Sequence, residues 1–203
     1  MDARTWDERY AATELVWSVE PNQFVAAECA GLEVGRAVDL AAGEGRNAIW
    51  LARLGWEVTA VDFSAVALEK GRRLAGEVPI DWVVADATTW RAERGYDLAV
   101  LAYLQLPAEE RGAAVRAAYD ALRPGGTFLL VAHDFSNLTE GTGGPQDASV
   151  LMTAEDVLAD LDGREPIVER AERVPRAVRG ADEHGGELDR VAWDCLVRVR
   201  RGG

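Results

Sequence analysis

Along most of this chain, short apolar runs alternate with Gly-containing turns and stretches of helical periodicity. That rhythm predicts a parallel β-sheet covered by helices on both faces. The first strand is expected over Arg36 to Ala41 (RAVDLA) and a helix from about Gly45 to Leu54, with Ile49, Leu51, Ala52 and Leu54 as its apolar positions and Gly55 as its stop. A second strand, Glu57 to Asp62, leads into a helix N-capped by Ser64 and running to about Ala75. Strands over Asp81 to Ala85 and Tyr96 to Leu101 follow, then a helix over about Ala108 to Leu122. The turn RPGG at Arg123 to Gly126 ends that helix, since proline cannot continue it and glycine supplies positive φ. The fifth strand, Thr127 to Ala132, is apolar almost throughout, as a strand buried on both faces is.

Beyond it the texture changes. Asp134 to Leu151 is long and rich in Gly, Asn and Ser, with GTGG at Gly141 to Gly144, and loops of that length inside a domain are usually functional or mobile. It is read as a lid hinged at Gly141, Gly143 and Gly144. A short helix capped by Thr153 is expected over Ala154 to Leu161, and two strands near Ile167 to Val174 and Val191 to Arg200. In the last, Val191, Trp193, Cys195, Val197 and Val199 alternate with Asp194, Arg198 and Arg200, which predicts one buried face and a packed core thiol at Cys195.

Composition narrows the function. The chain has 203 residues, a length suited to one α/β domain over 1–203, and its 48% hydrophobic and 28% charged residues exclude wholesale disorder. Its net charge of −13 makes nucleic acid and anionic membranes poor partners. Cys29 and Cys195 lie far apart without metal-ligand spacing, so neither a metal site nor a disulfide framework is expected. The opening MDARTWDERY has no apolar signal core and no run is long enough to span a membrane, so a cytoplasmic protein is expected. Lys70, the only lysine, reads as an exposed helix residue, and no Gly-Lys-Ser/Thr triplet supports P-loop phosphoryl transfer. The arginines from Arg164 to Arg201 are interleaved with acids and read as strand faces, and His184, in a Gly- and acid-rich turn, reads as solvated.

The strongest chemical signal is VDLAAGEGRN, Val38 to Asn47, at the C-terminal end of the first strand, where doubly wound sheets bind ligands. A dinucleotide fingerprint would need glycine at the positions of Ala41, Gly43 and Arg46, and only the middle one is glycine. Asp39 and Glu44 would repel a pyrophosphate and welcome a cationic ligand such as S-adenosylmethionine. Asp62 ends the second strand about 20 residues beyond Gly43, the offset of a carboxylate that grips a ribose diol. Asp86 ends the third strand, where it can accept from an adenine amino group, and the fourth strand delivers Ala102, Tyr103 and Gln105 to the same crevice. Each has a plainer reading: a lone Gly-rich turn is common, and Asp62 suits a helix N-terminus as well as a ribose.

Taken together, these motifs from about Ala37 to Ala132, ending in LRPGGTFLL, resemble the class I S-adenosylmethionine-dependent methyltransferases. WDERY at Trp6 to Tyr10, VWSVEPNQF at Val16 to Phe24 and the run GEGRNAIWLARLGWEVTAVDFS resemble the small tellurite-resistance and thiopurine-type branch. The resemblance implies a Rossmann-like, doubly wound seven-stranded sheet of order 3-2-1-4-5-7-6 with the last strand antiparallel. It implies that Ala41, Gly43 and Gly45 approach the methionine moiety through backbone, flanked by Arg46 and Asn47, with Asp39 on the ammonium side. It also implies Asp62 and Phe63 at the ribose and adenine, and Asp86 with Ala87 at the adenine edge. Ala41 departs from the pattern by replacing the family's usual first glycine, which negative φ would tolerate.

Acceptor residues are read less directly. Trp6, Tyr10 and Trp17, within a cap segment over 1–30, form either an aromatic cover for the sulfonium or the packed face of an amphipathic helix. His133 and Asp134 follow the fifth strand, and His133 is either a base or orienting group for the acceptor or a structural histidine. With Tyr103 it makes the candidate catalytic pair. The expected reaction is in-line methyl transfer to a small acceptor (a thiol, a chalcogen oxyanion or another small nucleophile), leaving S-adenosylhomocysteine, by a monomer or homodimer without a metal. A non-catalytic S-adenosylmethionine sensor and, further off, a nicotinamide-dependent oxidoreductase remain as alternatives.

Overall fold

The computed structural model describes residues 3–13, 15, 18–93, 95–181 and 187–203; Trp17 and His184 lie outside them. The chain runs α1 (Ala3–Ala11), α2 (Gln23–Cys29), β1 (Arg36–Leu40), α3 (Arg46–Arg53), β2 (Glu57–Asp62), α4 (Ala65–Ala75), β3 (Ile80–Val84) and β4 (Tyr96–Ala102). It continues through α5 (Ala108–Asp120), β5 (Leu122–His133), α6 (Asn137–Glu140), a 3-10 turn (Ala148–Val150), α7 (Ala154–Asp160), β6 (Ile167–Ala181) and β7 (Glu187–Arg200). The seven strands form one sheet in the order β3-β2-β1-β4-β5-β7-β6, with β7 antiparallel to both neighbours. The expected sheet is therefore present.

Local chemistry explains the boundaries. Ser64 caps α4 by accepting from the Ala67 amide, and Thr153 and Asp156 form a reciprocal capping box on α7. RPGG is looped out of the ladder: β4 pairs Tyr96 with Leu122 and next Leu98 with Thr127. The central strands bury both faces. One face packs Val38, Leu40, Leu101, Phe128 and Leu130 against α5 and α7, and the other packs Ala37, Leu98, Val100, Leu129 and Val131 against α2 and α3. Gly45 and Gly71 are required where the Trp82 ring crosses between α3 and α4, since a Cβ at either would sit 2.6 Å from the indole. No helix of the described residues is long and apolar enough to cross a membrane.

Four expectations change. The segment over 1–30 is more than a cover: α2, capped by Asn22, buries Val25 and Cys29 in the core. The stretch over 134–151 is built up with α6, the 3-10 turn and a bridge from Asp134 to Met152. It is pinned by buried Asn137, whose amide donates to the Gly143 carbonyl and whose Oδ1 accepts from the Trp193 amide. Both final strands are longer than expected. β5 covers β7 only from Arg200 to Asp194, so the pairs from Pro175↔Trp193 to Ala181↔Glu187 project past the end of β5 as a two-stranded arm. Finally, β7 buries both faces at its centre, so Asp194 is fully buried rather than on an outer face.

Candidate active site

The C-terminal ends of β1, β2, β4 and β5 open into one crevice, and the turn after β1 forms its floor. Ala41, Gly43 and Gly45 all take positive φ, at 60°, 57° and 77°. The methyl of Ala41 is therefore carried in the left-handed region, not at the negative φ that would tolerate it, at a cost of roughly 1–2 kcal/mol. Backbone strain of this kind concentrates at functional sites.

Asp62 is buried beneath this turn. The Gly43 amide donates to its Oδ2 and the Ser64 amide to its Oδ1, both at 2.8 Å, so the expected spacing joins β2 to the glycine turn. Burial pushes its carboxyl up, opposed by those amides and reinforced by the negative charge of Asp7. Asp7 comes from α1, where it accepts from the Ser64 hydroxyl at 2.5 Å, and nothing in the spacing of the N-terminal residues announces that contact. Asp39, at the end of β1, accepts from the Ala48 amide at 3.1 Å, and burial pushes its carboxyl up to about 7. Among the described residues neither Asp39 nor Asp62 forms an ion pair.

Arg46, at the start of α3, touches the Ser18 hydroxyl at 3.4 Å and stands 6.0 Å from the Tyr103 ring centre. Burial lowers its pKa, against the raising influence of Tyr103 and Asp39. Asn47 is buried and accepts from the Asn22 amide at 2.9 Å, which ties the start of α2 to the glycine turn. Lys70, expected to be exposed, is largely buried and donates to the Thr13 carbonyl at 2.6 Å and to Glu44 at 3.2 Å. Phe63 is half-buried. Asp86 is exposed and holds the Thr88 amide and hydroxyl at 2.8 and 2.7 Å, while Ala87 is buried beside it.

The other wall is Tyr103, just after Ala102, with φ of 58°. Its ring lies 5.0 Å from that of His133. Its hydroxyl donates to Asp194 Oδ2 at 2.7 Å, and burial together with the Asp194 charge keeps the phenol protonated far above its usual range. Arg176, from β6, donates to the same oxygen at 2.6 Å. Nδ1 of His133 faces Asp194 Oδ1 at 3.4 Å, and Gln105 accepts from the His133 amide at 3.1 Å. Asp134 is buried and engaged with the Ser136 amide and hydroxyl. In α1, Tyr10 is buried and Trp6 stacks on it at 5.5 Å, with the Arg9 guanidinium 4.8 Å from the Trp6 ring. The crevice thus gathers buried carboxylates on one side and a Tyr–His–Asp–Arg cluster on the other.

The methyltransferase-domain family model matches residues 37–126, spanning the glycine turn, Asp62, Asp86 and the strand ends just described. Thiocyanate methyltransferase 1 of Brassica oleracea is 27% identical over 162 residues, covering 77% of this chain and 67% of that protein. Residues 37–126 thus match a methyltransferase domain, and the chain is similar to S-adenosylmethionine-dependent methyltransferases. Its fold agrees with that of N-methyltransferase NodS from Bradyrhizobium japonicum, solved with S-adenosyl-L-homocysteine, at a TM-score of 0.74 and 18% identity over the whole of both chains. A structure described by the conversion of a disulfide bond into a thioacetal group during echinomycin biosynthesis aligns at a TM-score of 0.72 and 24% identity, covering 98% of this methyltransferase and 92% of that chain. The domain match over the glycine turn supports the methyltransferase reading over the nicotinamide-dependent one. Sequence reasoning missed Asp7, Asn22, Arg176 and Asp194, each carried to the crevice by pairing with a distant segment.

Proposed function

We propose that this methyltransferase alkylates a small nucleophile, a thiol or chalcogen oxyanion before others, as a member of the tellurite-resistance and thiopurine-type branch. The observation that carries the reading is the pair of buried carboxylates, Asp39 and Asp62, neither of which forms an ion pair among the described residues, with Arg46 acting on Asp39 only at longer range. A buried carboxylate is costly until a cation or hydrogen-bond donor satisfies it. S-adenosylmethionine supplies a sulfonium-activated methyl group and leaves as S-adenosylhomocysteine. Asp39 would face its ammonium, and Arg46 beside Asn47 its carboxylate, over the backbone of Ala41, Gly43 and Gly45. Asp62, with acceptor capacity left beyond its two amides, would take the ribose hydroxyls beside Phe63. Asp86 and Ala87 would border the adenine, and Ala102 the methyl group.

Tyr103 and His133 stand where an acceptor would approach, with Trp6, Tyr10 and Asp134 bordering the approach. Alignment and exclusion of water then supply most of the rate. A soft anion needs no base. The Brassica relative is a thiocyanate methyltransferase by name, which favours a sulfur acceptor here, and the charge of −13 disfavours a nucleic acid.

Calorimetry with S-adenosylmethionine, S-adenosylhomocysteine and NAD, followed by methylation assays with thiocyanate, bisulfide and tellurite, tests the reading. We expect both adenosyl ligands to bind, NAD not to bind, and at least one chalcogen anion to be methylated. Turnover confined to amines would overturn the acceptor class.

A further inference from the structure

Asp194 sits at the point where β7 pairs with the end of β5, directly opposite His133. It is fully buried, and three donors converge on it: the Tyr103 hydroxyl, the Arg176 guanidinium and, at 3.4 Å, Nδ1 of His133. That Nδ1 is buried and lacks a hydrogen bond as placed. An ionised carboxylate only accepts, so the contact is attractive only when Nδ1 carries a proton. In a neutral ring Nε2 then keeps its lone pair. Because Nδ1 is buried, the 16% of the His133 side chain still exposed belongs to its other atoms.

We infer that Asp194 is a positioning residue that holds His133 in the Nδ1–H tautomer, making Nε2 the general base for acceptors that carry a proton on the attacking atom. The inference rests on the acceptor site proposed above. For such an acceptor, its proton passes to Nε2 while its electron pair forms the bond to the methyl carbon. The carbon–sulfur bond breaks with its electrons left on sulfur, and the imidazolium returns the proton to water. Other charged and titratable groups around the ring support this assignment. Arg176 on β6 neutralises Asp194 and keeps it ionised. Burial pushes the Asp194 carboxyl up, but its contacts with His133, Arg176 and Tyr103 together hold it below the usual range. Tyr103 stays protonated, so it donates rather than competing as a base. Arg46 and Arg176 stand 6.0 and 5.8 Å from the centre of the Tyr103 ring, which separates their guanidinium charges from direct contact with the imidazole. Gly144 closes the ring's face, since a Cβ there would lie 2.9 Å from Nδ1.

The chain has two histidines, so its imidazole nitrogen spectrum is simple enough to read the tautomer directly. In the S-adenosylhomocysteine complex at mildly alkaline pH we expect His133 in the Nδ1–H form, and a tautomer mixture in Asp194→Asn. The kinetic arm compares 2-mercaptoethanol, largely protonated, with 4-nitrothiophenol, largely ionised. Asp194→Asn should lower kcat/KM for the first at least about tenfold more than for the second and shift the acidic limb of its pH profile. An Nε2–H tautomer in the wild type, or equal losses with both thiols, overturns the inference. The wild-type spectrum decides the tautomer even if the variant does not fold. Failure to methylate either thiol, with the Nδ1–H tautomer observed, overturns the acceptor class and leaves the positioning role standing.

Discussion

At the scale of single residues, the buried acids set the pH response. Asp39 titrates near 7 in the folded chain, against 3.8 for an ordinary aspartate, and burial is the main cause. A raised carboxyl means that the folded state holds the proton more tightly than the unfolded state. Its contribution to stability is complete below the unfolded pKa and is lost as pH rises through about 7. At about 1.4 kcal/mol per pKa unit, the loss is bounded by roughly 4 kcal/mol and relaxation makes it smaller. A cationic ligand reverses the preference, because it favours the ionised form. We therefore expect urea stability of the ligand-free protein to carry a falling contribution between about pH 4 and about pH 7, and Asp39→Asn to flatten that part of the profile. Over the same interval S-adenosylmethionine should bind more tightly to the wild type, with proton release visible in buffers of different ionisation enthalpy. Unchanged pH dependence in Asp39→Asn would remove Asp39 from the site.

At the scale of elements, α1 depends on what it touches. Nine residues are too few for a stable isolated helix, so its order comes from tertiary contacts. Those are buried Tyr10, the Asp7 contact to Ser64, and the Lys70 contact to the Thr13 carbonyl just beyond the helix. The stretch over 134–151 is held more firmly, by Asn137 against Trp193 and Gly143. The moving cover is therefore proposed to be α1. Hydrogen exchange should slow more over 3–11 than over 134–151 when S-adenosylhomocysteine binds, and Lys70→Met should speed exchange over 3–11 without changing the sheet. Equal protection of both segments would restore a two-part lid. The same elements explain what could be read in advance. Alternation, caps and the RPGG turn marked the strands and helices from β1 to β5 because they are local signals, whereas the strand order came from family resemblance. Asp62 was recognisable because its distance from Gly43 is short and regular. Asp194 and Arg176 were not, because their burial depends on the pairing of two strands at the far edge of the sheet. The alternating pattern places the strand bounds near Val174 and Val191, yet the pairing runs on from Pro175↔Trp193 to Ala181↔Glu187 as an arm.

At the scale of the whole molecule, charge separates substrate from product. The net charge of −13 produces a field that favours cations, and Asp7, Asp39 and Asp62 concentrate it at one end of the crevice. S-adenosylmethionine carries one more positive charge than S-adenosylhomocysteine, so the field holds the reactant more than the product and helps the product leave. Salt screens the long-range part of that difference, with a Debye length near 10 Å at about 0.1 M and near 3 Å at about 1 M. Contacts shared by the two ligands, to the ribose, the adenine and the glycine turn, change little with salt. We expect calorimetry at low and high sodium chloride to show S-adenosylmethionine affinity falling several-fold more than S-adenosylhomocysteine affinity, roughly one charge's worth of screening. The difference should shrink in Asp39→Asn, which cannot ionise when the cationic ligand binds. Parallel salt curves for the two ligands would mean that the sulfonium is held by contacts insensitive to the protein's field, such as an aromatic face, and would move the explanation from the acids to Tyr103 and the stacked Trp6–Tyr10 pair.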